Sequence, residues 1–136
     1  MKLTEEERKI IVGLEIEKSK RTFAEIEILR QAGLWNTIAN RLFYAVFHAV
    51  TALLISEGYP AGSHQGTVIQ FHQYFIKTGI LTKSDGVFYS QMQTLREKAD
   101  YNCTYYATEE DTAPRIAETA TFIDRVIGVI KEQYKG

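Results

Sequence analysis

Apolar residues recur along the chain at the three- and four-residue spacing of amphipathic helices. The clearest stripes lie in the second half of the chain, at Phe88, Met92, Leu95 and Ala99 and at Ile116, Ala120, Ile123, Ile127 and Ile130. No segment combines strand alternation with a hairpin turn, and no repeat or low-complexity linker divides the chain. The pattern predicts an all-α fold: an antiparallel bundle of about five helices, forming one domain over residues 1–136.

Capping residues and glycines delimit the first two predicted helices. Thr4 followed by Glu7 has the pattern of a capping box, so the first helix is expected to begin near Glu5. It runs to about residue 31, before Gly33. The second helix begins near residue 34 or 35 and ends before Gly58, with Pro60 as a stop just beyond it.

The remaining three helices carry weaker boundary signals. Ser63 is the predicted cap of the third helix, which closes at Gly79, and Ser84 is the predicted cap of the fourth. The last helix has two candidate caps, Thr108 and Thr112. Because Pro114 would lie inside a helix that starts at Thr108 and kink it, the sequence favours Thr112.

Composition indicates a globular protein of the cytoplasm. The chain has 136 residues and a formal net charge of -1, so no overall basic field attracts nucleic acid. Its single cysteine, Cys103, cannot form an internal disulfide and is expected to be a small buried hydrophobe. Residues 1–9 are charged with no apolar stretch after them, and the apolar run 42–55 is shorter than the roughly 20 residues of a membrane span.

The second predicted helix carries a polar line on an otherwise apolar sequence. Arg41 and His48 are seven residues apart and therefore only about 20° out of register, with Tyr44 between them. Thr37 and Thr51 extend the same line. A guanidinium and an imidazole in a row suit a phosphate ligand. The alternative is structural: Arg41 pairs with a glutamate of the first helix, while Tyr44 and His48 are satisfied polar groups of the core.

The stretch Asn-Arg-Leu-Phe-Tyr-Ala-Val-Phe-His-Ala over residues 40–49 resembles the Arg-x(4–6)-His signature of HEPN domains. It is most similar to small stand-alone prokaryotic members of the UPF0332-like branch, whose second helix reads Arg-x-x-Tyr-Ala-x-Phe-His. Four residues at the end of the fourth helix match an Arg-x-x-Ala-Asp-Tyr pattern, at Arg96, Ala99, Asp100 and Tyr101. The resemblance covers nearly the whole chain and implies a HEPN-like four-helix-bundle core.

This resemblance implies a homodimer that, in active members, cleaves RNA without a metal or other cofactor. Such proteins often act as toxins beside a nucleotidyltransferase antitoxin, or in antiviral defence. Carried over to this chain, His48 transfers a proton, Arg41 stabilises charge on the phosphate, and Asn40 and Tyr44 are supporting polar groups. The attacking group is the 2′-hydroxyl of RNA, so DNA is expected to be inert.

Helix geometry suggests how such a site is assembled. Seven helical residues separate two Cα atoms by about 10 Å, which is long for two side chains that share one phosphorus. Across a two-fold axis, Arg41 of one copy could meet His48 of the other, which predicts a composite site in a homodimer. The alternatives are a non-catalytic module that binds a nucleotidyltransferase or a nucleotide through the same face, and a purely structural dimer. Near-neutral charge favours the binding module.

The chain departs from the family pattern at two positions. Leu42 follows the arginine, where many active members carry a polar residue. Val50 stands where some members carry a tyrosine that the partner modifies with AMP, although Tyr44 or Tyr101 could substitute for it.

Other candidate residues have mainly structural interpretations. Arg96 and Asp100 are spaced for an ion pair that closes the fourth helix. The tyrosines after it can stack on bases or pack at the helix junction, and they are Tyr101, Tyr105 and Tyr106. His64 and His72 lie eight residues apart with no third ligand at a useful spacing, so no metal site is expected.

Overall fold

The computed structural model describes residues 3–59 and 63–133, without the side chain of His64. These residues form helices and no strands, which confirms the all-α bundle. The α-helices are α1 (Glu5–Ala24), α2 (Ile26–Gln31), α3 (Trp35–Ser56), α4 (His64–Phe71), α5 (Lys83–Tyr101) and α6 (Glu109–Gln133). Pro60, the predicted stop after α3, lies outside the described residues.

Helix α3 is the centre of the bundle. It packs against α1, α5 and α6, and thirteen of its 22 residues are buried. By length and composition alone, the 22-residue helix α3 could cross a membrane. It is longer than the apolar run 42–55 that it contains. In this fold, however, 67% of its most apolar window is buried inside the protein. Its apolar character is therefore accounted for by its place in the core.

Helices α1 and α2 together form the first predicted helix, and Glu25 separates them. The Thr4 capping box is present: Thr4 Oγ1 accepts from the Glu7 N–H at 3.0 Å, and Glu7 Oε1 accepts from the Thr4 N–H at 2.9 Å. At Glu25 the backbone tightens, since its N–H bonds to the carbonyl of Thr22 at 3.3 Å. Gly33 then ends α2 with φ +70°, a conformation that glycine adopts without steric cost.

The face of α1 that meets α3 is made partly of small side chains. Ser19 is fully buried and its Oγ donates to the Ala45 carbonyl of α3 at 2.6 Å. Ile10 and Leu14, by contrast, are about 60% exposed on the opposite side. The small polar side chains buried on this face, Ser19 and Thr22, explain why apolar spacing in α1 is only roughly periodic.

The third predicted helix is an α-helix that continues as one π-helical stretch. Ser63 caps α4, its Oγ accepting from the Gly66 N–H at 3.0 Å. Over His72–Ile76 the hydrogen bonds shift to the i→i−5 pattern, with the Lys77 N–H bonding to the His72 carbonyl at 2.9 Å. The segment closes at Gly79, as predicted.

Two of the predicted caps are wrong. Thr82, not Ser84, caps α5: its Oγ1 accepts from the Asp85 N–H at 3.1 Å, and Asp85 Oδ2 accepts from the Thr82 N–H at 3.1 Å. This capping box carries aspartate at the position that glutamate or glutamine usually occupies. The side chain of Asp85 is completely buried and also pairs with Arg125 of α6.

Helix α6 begins after Thr108, not after Thr112. Thr108 Oγ1 accepts from the Asp111 N–H at 3.1 Å, and Thr112 lies buried inside the helix. Pro114 is the sixth residue of α6. Its missing N–H therefore leaves only the carbonyl of Glu110, in the exposed first turn, without its helical donor.

Candidate functional site

The polar line of α3 lies along the strip of that helix between α1 and α5. On one side, His48 and Arg41 contact Glu15 and Glu25 of the α1–α2 segment. On the other side, Asn40 contacts Asp100 of α5. The strip therefore joins three helices, and its side chains remain partly open to solvent.

His48 is held through one ring nitrogen. Its Nδ1 lies 2.8 Å from Oε2 of Glu15, and the His48 side chain keeps 20% of its surface exposed. An ionised carboxylate only accepts hydrogen bonds, so it favours the ring form that carries its proton on Nδ1. Within residues 3–59 and 63–133, no group bonds to Nε2. In the neutral ring this nitrogen keeps its lone pair, the property required of a general base.

Arg41 is held along one edge of its guanidinium. Its Nε and Nη2 donate to Oδ1 of Asn40 at 3.0 and 2.7 Å, and its Cζ lies 5.5 Å from the centre of the Tyr44 ring. Nη1 has a looser contact, 3.6 Å from Oε1 of the half-exposed Glu25. With 32% of its side chain exposed, Arg41 has an edge that an anion could approach.

A shallow cavity of about 380 Å³ lies beside this arginine. Its lining residues come from the junction of α1 and α2, from α2 and from α3, and they are Glu25, Ile28, Leu29, Thr37 and Arg41. The predicted line is open only over part of its length, since Thr37 is exposed whereas Thr51 is buried. The structural alternative for Arg41 and His48 is thus realised in part, because both groups have glutamate partners, yet neither is sealed inside the bundle.

Arg96 is buried next to the strip. Its side chain is only 6% exposed, and its Cζ lies 4.9 Å from the Phe43 ring centre and 5.5 Å from that of Tyr101. The expected ion pair is present, with Nη1 at 3.6 Å from Oδ2 of Asp100. Nη1 also donates to the hydroxyl of Tyr101 at 3.3 Å. Arg96 therefore anchors the end of α5 rather than presenting a charge to solvent.

Sequence reasoning missed two residues that organise this region, Glu15 and Asn36. Asn36 Nδ2 donates to the Ala99 carbonyl at 2.6 Å, and its Oδ1 accepts from the Ala107 N–H at 2.8 Å. It thereby ties the start of α3 to both ends of the loop between α5 and α6. Neither residue carries a local signal, because their partners lie 33 to 71 positions away in the sequence.

The last residue of α5 and the loop after it place aromatic rings in solvent. Tyr101 and Tyr106 are 75% and 79% exposed, so they do not pack at the junction. Tyr105 is half-buried beneath the ammonium of Lys98, and burial together with Asp111 raises the pKa of its phenol. The expectation that Cys103 is buried is wrong, since the thiol is exposed in this loop.

The described part of the chain contains no group of three or more His, Cys, Asp or Glu side chains placed to hold a metal ion. His72 is engaged elsewhere: its Nδ1 lies 2.9 Å from the Val68 carbonyl and its Nε2 lies 3.2 Å from the Gly86 carbonyl. These contacts connect α4 to α5 and make His72 part of the packing.

Comparisons with known proteins agree with this architecture. The HEPN domain family matches residues 14–132. A protein of Thermotoga maritima named "UPF0332 protein" is 28% identical over 115 residues, covering 85% of this chain and 87% of its own length. A Methanocaldococcus jannaschii protein named a "putative toxin" is 32% identical over 117 residues, covering 86% and 87%. A second "putative toxin" of that organism is 24% identical over 110 residues, covering 81% and 75%. The match over most of the helical bundle, with the polar strip inside it, shows that this chain belongs to the HEPN domain family.

Proposed function

We propose that this protein is a metal-independent endoribonuclease of the toxin type, acting in the cytoplasm with Arg41 and His48 at its reaction centre. Two relatives bear the name "putative toxin", and they support the toxin part of this proposal. The observation that carries the proposal is the contact of His48 with Glu15 through Nδ1 alone. The Glu15 carboxylate holds Nδ1 at 2.8 Å, so the unbonded Nε2 is the proton acceptor on a partly exposed ring.

The reaction follows from these groups. Nε2 of His48 takes the proton of an RNA 2′-hydroxyl while that oxygen attacks the adjacent phosphorus. The phosphorus–5′-oxygen bond breaks and the leaving oxygen takes up a proton, which gives a 2′,3′-cyclic phosphate and a 5′-hydroxyl. The Arg41 guanidinium stabilises the negative charge that builds on the phosphoryl oxygens. Asn40 and Tyr44 support Arg41, through the two hydrogen bonds and the ring contact described above.

A homodimer brings the two groups together in this proposal. Seven residues of α3 separate them by about 10 Å along the helix axis of one copy. Two copies of α3 related by a two-fold axis would place Arg41 of one chain near His48 of the other. The open strip between α1 and α5 is the surface on which such a pairing would form.

The first experiment is a cleavage assay in EDTA. The parent, His48→Ala and Arg41→Ala are incubated with a mixed RNA and with DNA of the same sequence. We expect the parent alone to cleave RNA, to leave cyclic phosphate ends, and to leave DNA intact. His72→Gln serves as a control histidine variant and should cleave at the parental rate, provided that it is folded. Equal cleavage by parent and His48→Ala would contradict the proposal.

A mixing experiment tests the composite site. In a heterodimer of Arg41→Ala and His48→Ala chains, one of the two composite sites regains an intact arginine and an intact histidine. After refolding as a mixture, the two inactive variants should recover about a quarter of the parental activity. No recovery, despite heterodimers shown by native mass spectrometry, would place both groups of a site in one chain.

A second candidate is a non-catalytic module that binds a nucleotidyltransferase or a nucleotide through the same strip. It is favoured by the carboxylates there, because Arg41, His48 and Arg96 have Glu25, Glu15 and Asp100 as partners. This pairing, with a net charge of -1, is unlike the basic groove that free RNA usually requires. Absence of cleavage, together with Arg41-dependent binding of a nucleotidyltransferase encoded beside this protein, would favour this function.

A further inference from the structure

The side-chain amide of Asn40 lies between a carboxylate and a guanidinium. Nδ2 donates to Oδ2 of Asp100 at 3.0 Å, and Oδ1 accepts from Nη2 and Nε of Arg41 at 2.7 and 3.0 Å. A carboxylate can only accept and a guanidinium can only donate. Only one of the two amide orientations therefore satisfies both neighbours, and Asp100 and Arg41 favour the same one.

Asp100 is itself held in place from within the bundle. Its Oδ2 lies 3.6 Å from Nη1 of Arg96, whose buried guanidinium rests on the ring of Phe43. The Tyr101 hydroxyl accepts from the same Nη1 at 3.3 Å. A charge fixed by an ion pair and by ring contacts has few alternative positions. The buried Arg96 guanidinium thus has few alternative positions, and it keeps its charge 3.6 Å from the Asp100 carboxylate at the edge of the polar strip.

We propose that Asp100, anchored by Arg96, is a positioning residue that orients Arg41 through the amide of Asn40. This inference rests on the proposed function, in which Arg41 meets the RNA phosphate. With the Nε and Nη2 edge held by Asn40, the guanidinium plane is set and Nη1 is directed away from α5. Its remaining contact is a 3.6 Å ion pair with Glu25, whose side chain is 53% exposed and can move aside for a phosphate.

The arrangement gives a role to the residues at the end of α5. Arg96 is nearly buried and does not reach the substrate, and Asp100 bears the charge that would repel a phosphate. Their effect on the reaction is therefore indirect. They reduce the freedom of the Arg41 side chain before RNA binds, and such preorganisation lowers the barrier of a reaction that depends on aligned groups.

The first test follows Arg41 itself by NMR, without any need for activity. The Nε–Hε signal of Arg41 is assigned by its loss in Arg41→Lys, and its hydrogen exchange is measured in the parent, Asp100→Ala and Asp100→Asn. We expect exchange to be at least about threefold faster in Asp100→Ala, because the amide can then rotate. Asp100→Asn keeps an acceptor for Nδ2 and should restore slow exchange. Glu97→Ala, an exposed acidic position of the same helix, is the control.

Asn40→Ala tests the same connection if Asp100→Ala does not fold. It removes the amide, leaves the Asp100–Arg96 pair intact, and should speed Arg41 exchange to a similar extent. Adding Asp100→Ala to Asn40→Ala should then change Arg41 exchange no further, since the two residues act in series. Unchanged Arg41 exchange in both single variants would overturn the inference.

The second test separates this inference from the proposed ribonuclease activity. If the parent cleaves RNA, Asp100→Ala should lower kcat by roughly tenfold with a smaller change in KM, and Asp100→Asn should recover most of the rate. A variant that is only less stable would show a lower Tm, without the larger change in kcat than in KM and without recovery of the rate in Asp100→Asn. If the parent does not cleave RNA, the proposed function fails, while the exchange of Arg41 still decides whether Asp100 positions it.

Discussion

Glu15 of α1 holds the imidazole of His48 of α3 through a 2.8 Å contact between Oε2 and Nδ1. We expect Glu15→Ala to shift the neutral His48 ring away from the form protonated on Nδ1, because its acceptor is gone. Glu15→Gln should retain that form, since the amide oxygen still accepts. Long-range proton–nitrogen correlation spectra distinguish the two ring forms. Glu17→Ala, an exposed neighbour on α1, is the control, and an unchanged ring form in Glu15→Ala would contradict the assignment.

Tyr89 is buried among aromatic rings, and within the described residues its hydroxyl has no hydrogen-bond partner. Tyr89→Phe removes this desolvated hydroxyl, so we expect the free energy of unfolding at pH 7 to stay the same or to rise by about 1 kcal/mol. Urea denaturation measures the change, with the exposed Tyr106→Phe as control. A loss of more than about 1 kcal/mol would show that the hydroxyl has a partner.

The same residue predicts a dependence on alkaline pH. Burial raises the pKa of Tyr89 in the folded protein, whereas the phenol of the unfolded chain ionises near pH 10. The ionisation of Tyr89 therefore has no effect on the free energy of unfolding below about pH 10. Above that pH it favours the unfolded chain, and stability is lost progressively as the pH rises. Parent and Tyr89→Phe should diverge in urea denaturation above about pH 10, with the parent losing stability faster. Parallel curves would contradict this.

Two helical glycines, Gly86 and Gly128, should respond in opposite ways to alanine. A Cβ at Gly128 meets nothing within 4 Å, so Gly128→Ala should raise the free energy of unfolding by about 0.5–1 kcal/mol through helix propensity. A Cβ at Gly86 would lie 3.1 Å from Nε2 of His72 and 3.2 Å from Ile76. A carbonyl oxygen lies near each nitrogen of the His72 ring, and the Ile76 side chain also lies close to the added Cβ, so the ring has little room to shift and Gly86→Ala should lower the stability. Urea denaturation of the two variants checks the difference in sign.

Asn36 should contribute strongly to the free energy of unfolding. Asn36→Ala leaves the Ala107 N–H and the Ala99 carbonyl without their partner, and we expect a loss of about 2 kcal/mol. The Ala107 amide should also exchange its hydrogen faster. Thr37→Ala, an exposed position one residue further on, should change neither quantity. A loss equal to that of Thr37→Ala would mean that the loop is held by other contacts.

The local parts of this structure could be predicted from the sequence. The Thr4 capping box and the glycine stops at Gly33 and Gly79 depend on neighbouring residues only, and the structure confirms them. The Thr82 capping box also depends only on neighbouring residues, with aspartate in place of glutamate at its last position. Pro114 makes the sequence favour Thr112 over Thr108 as the cap of α6, yet this proline lies close enough to the helix start to be tolerated.

Helical periodicity alone places Arg41, Tyr44 and His48 on one side of α3, since covalent geometry determines the angle between side chains along a helix. Whether that side faces the core, a neighbouring carboxylate or solvent depends on how α1 and α5 pack against α3. Packing is decided by contacts between residues far apart in the chain, such as Ser19 with Ala45 and Asn40 with Asp100. The order of residues therefore specifies the polar strip, while the tertiary structure supplies its partners and leaves it partly open.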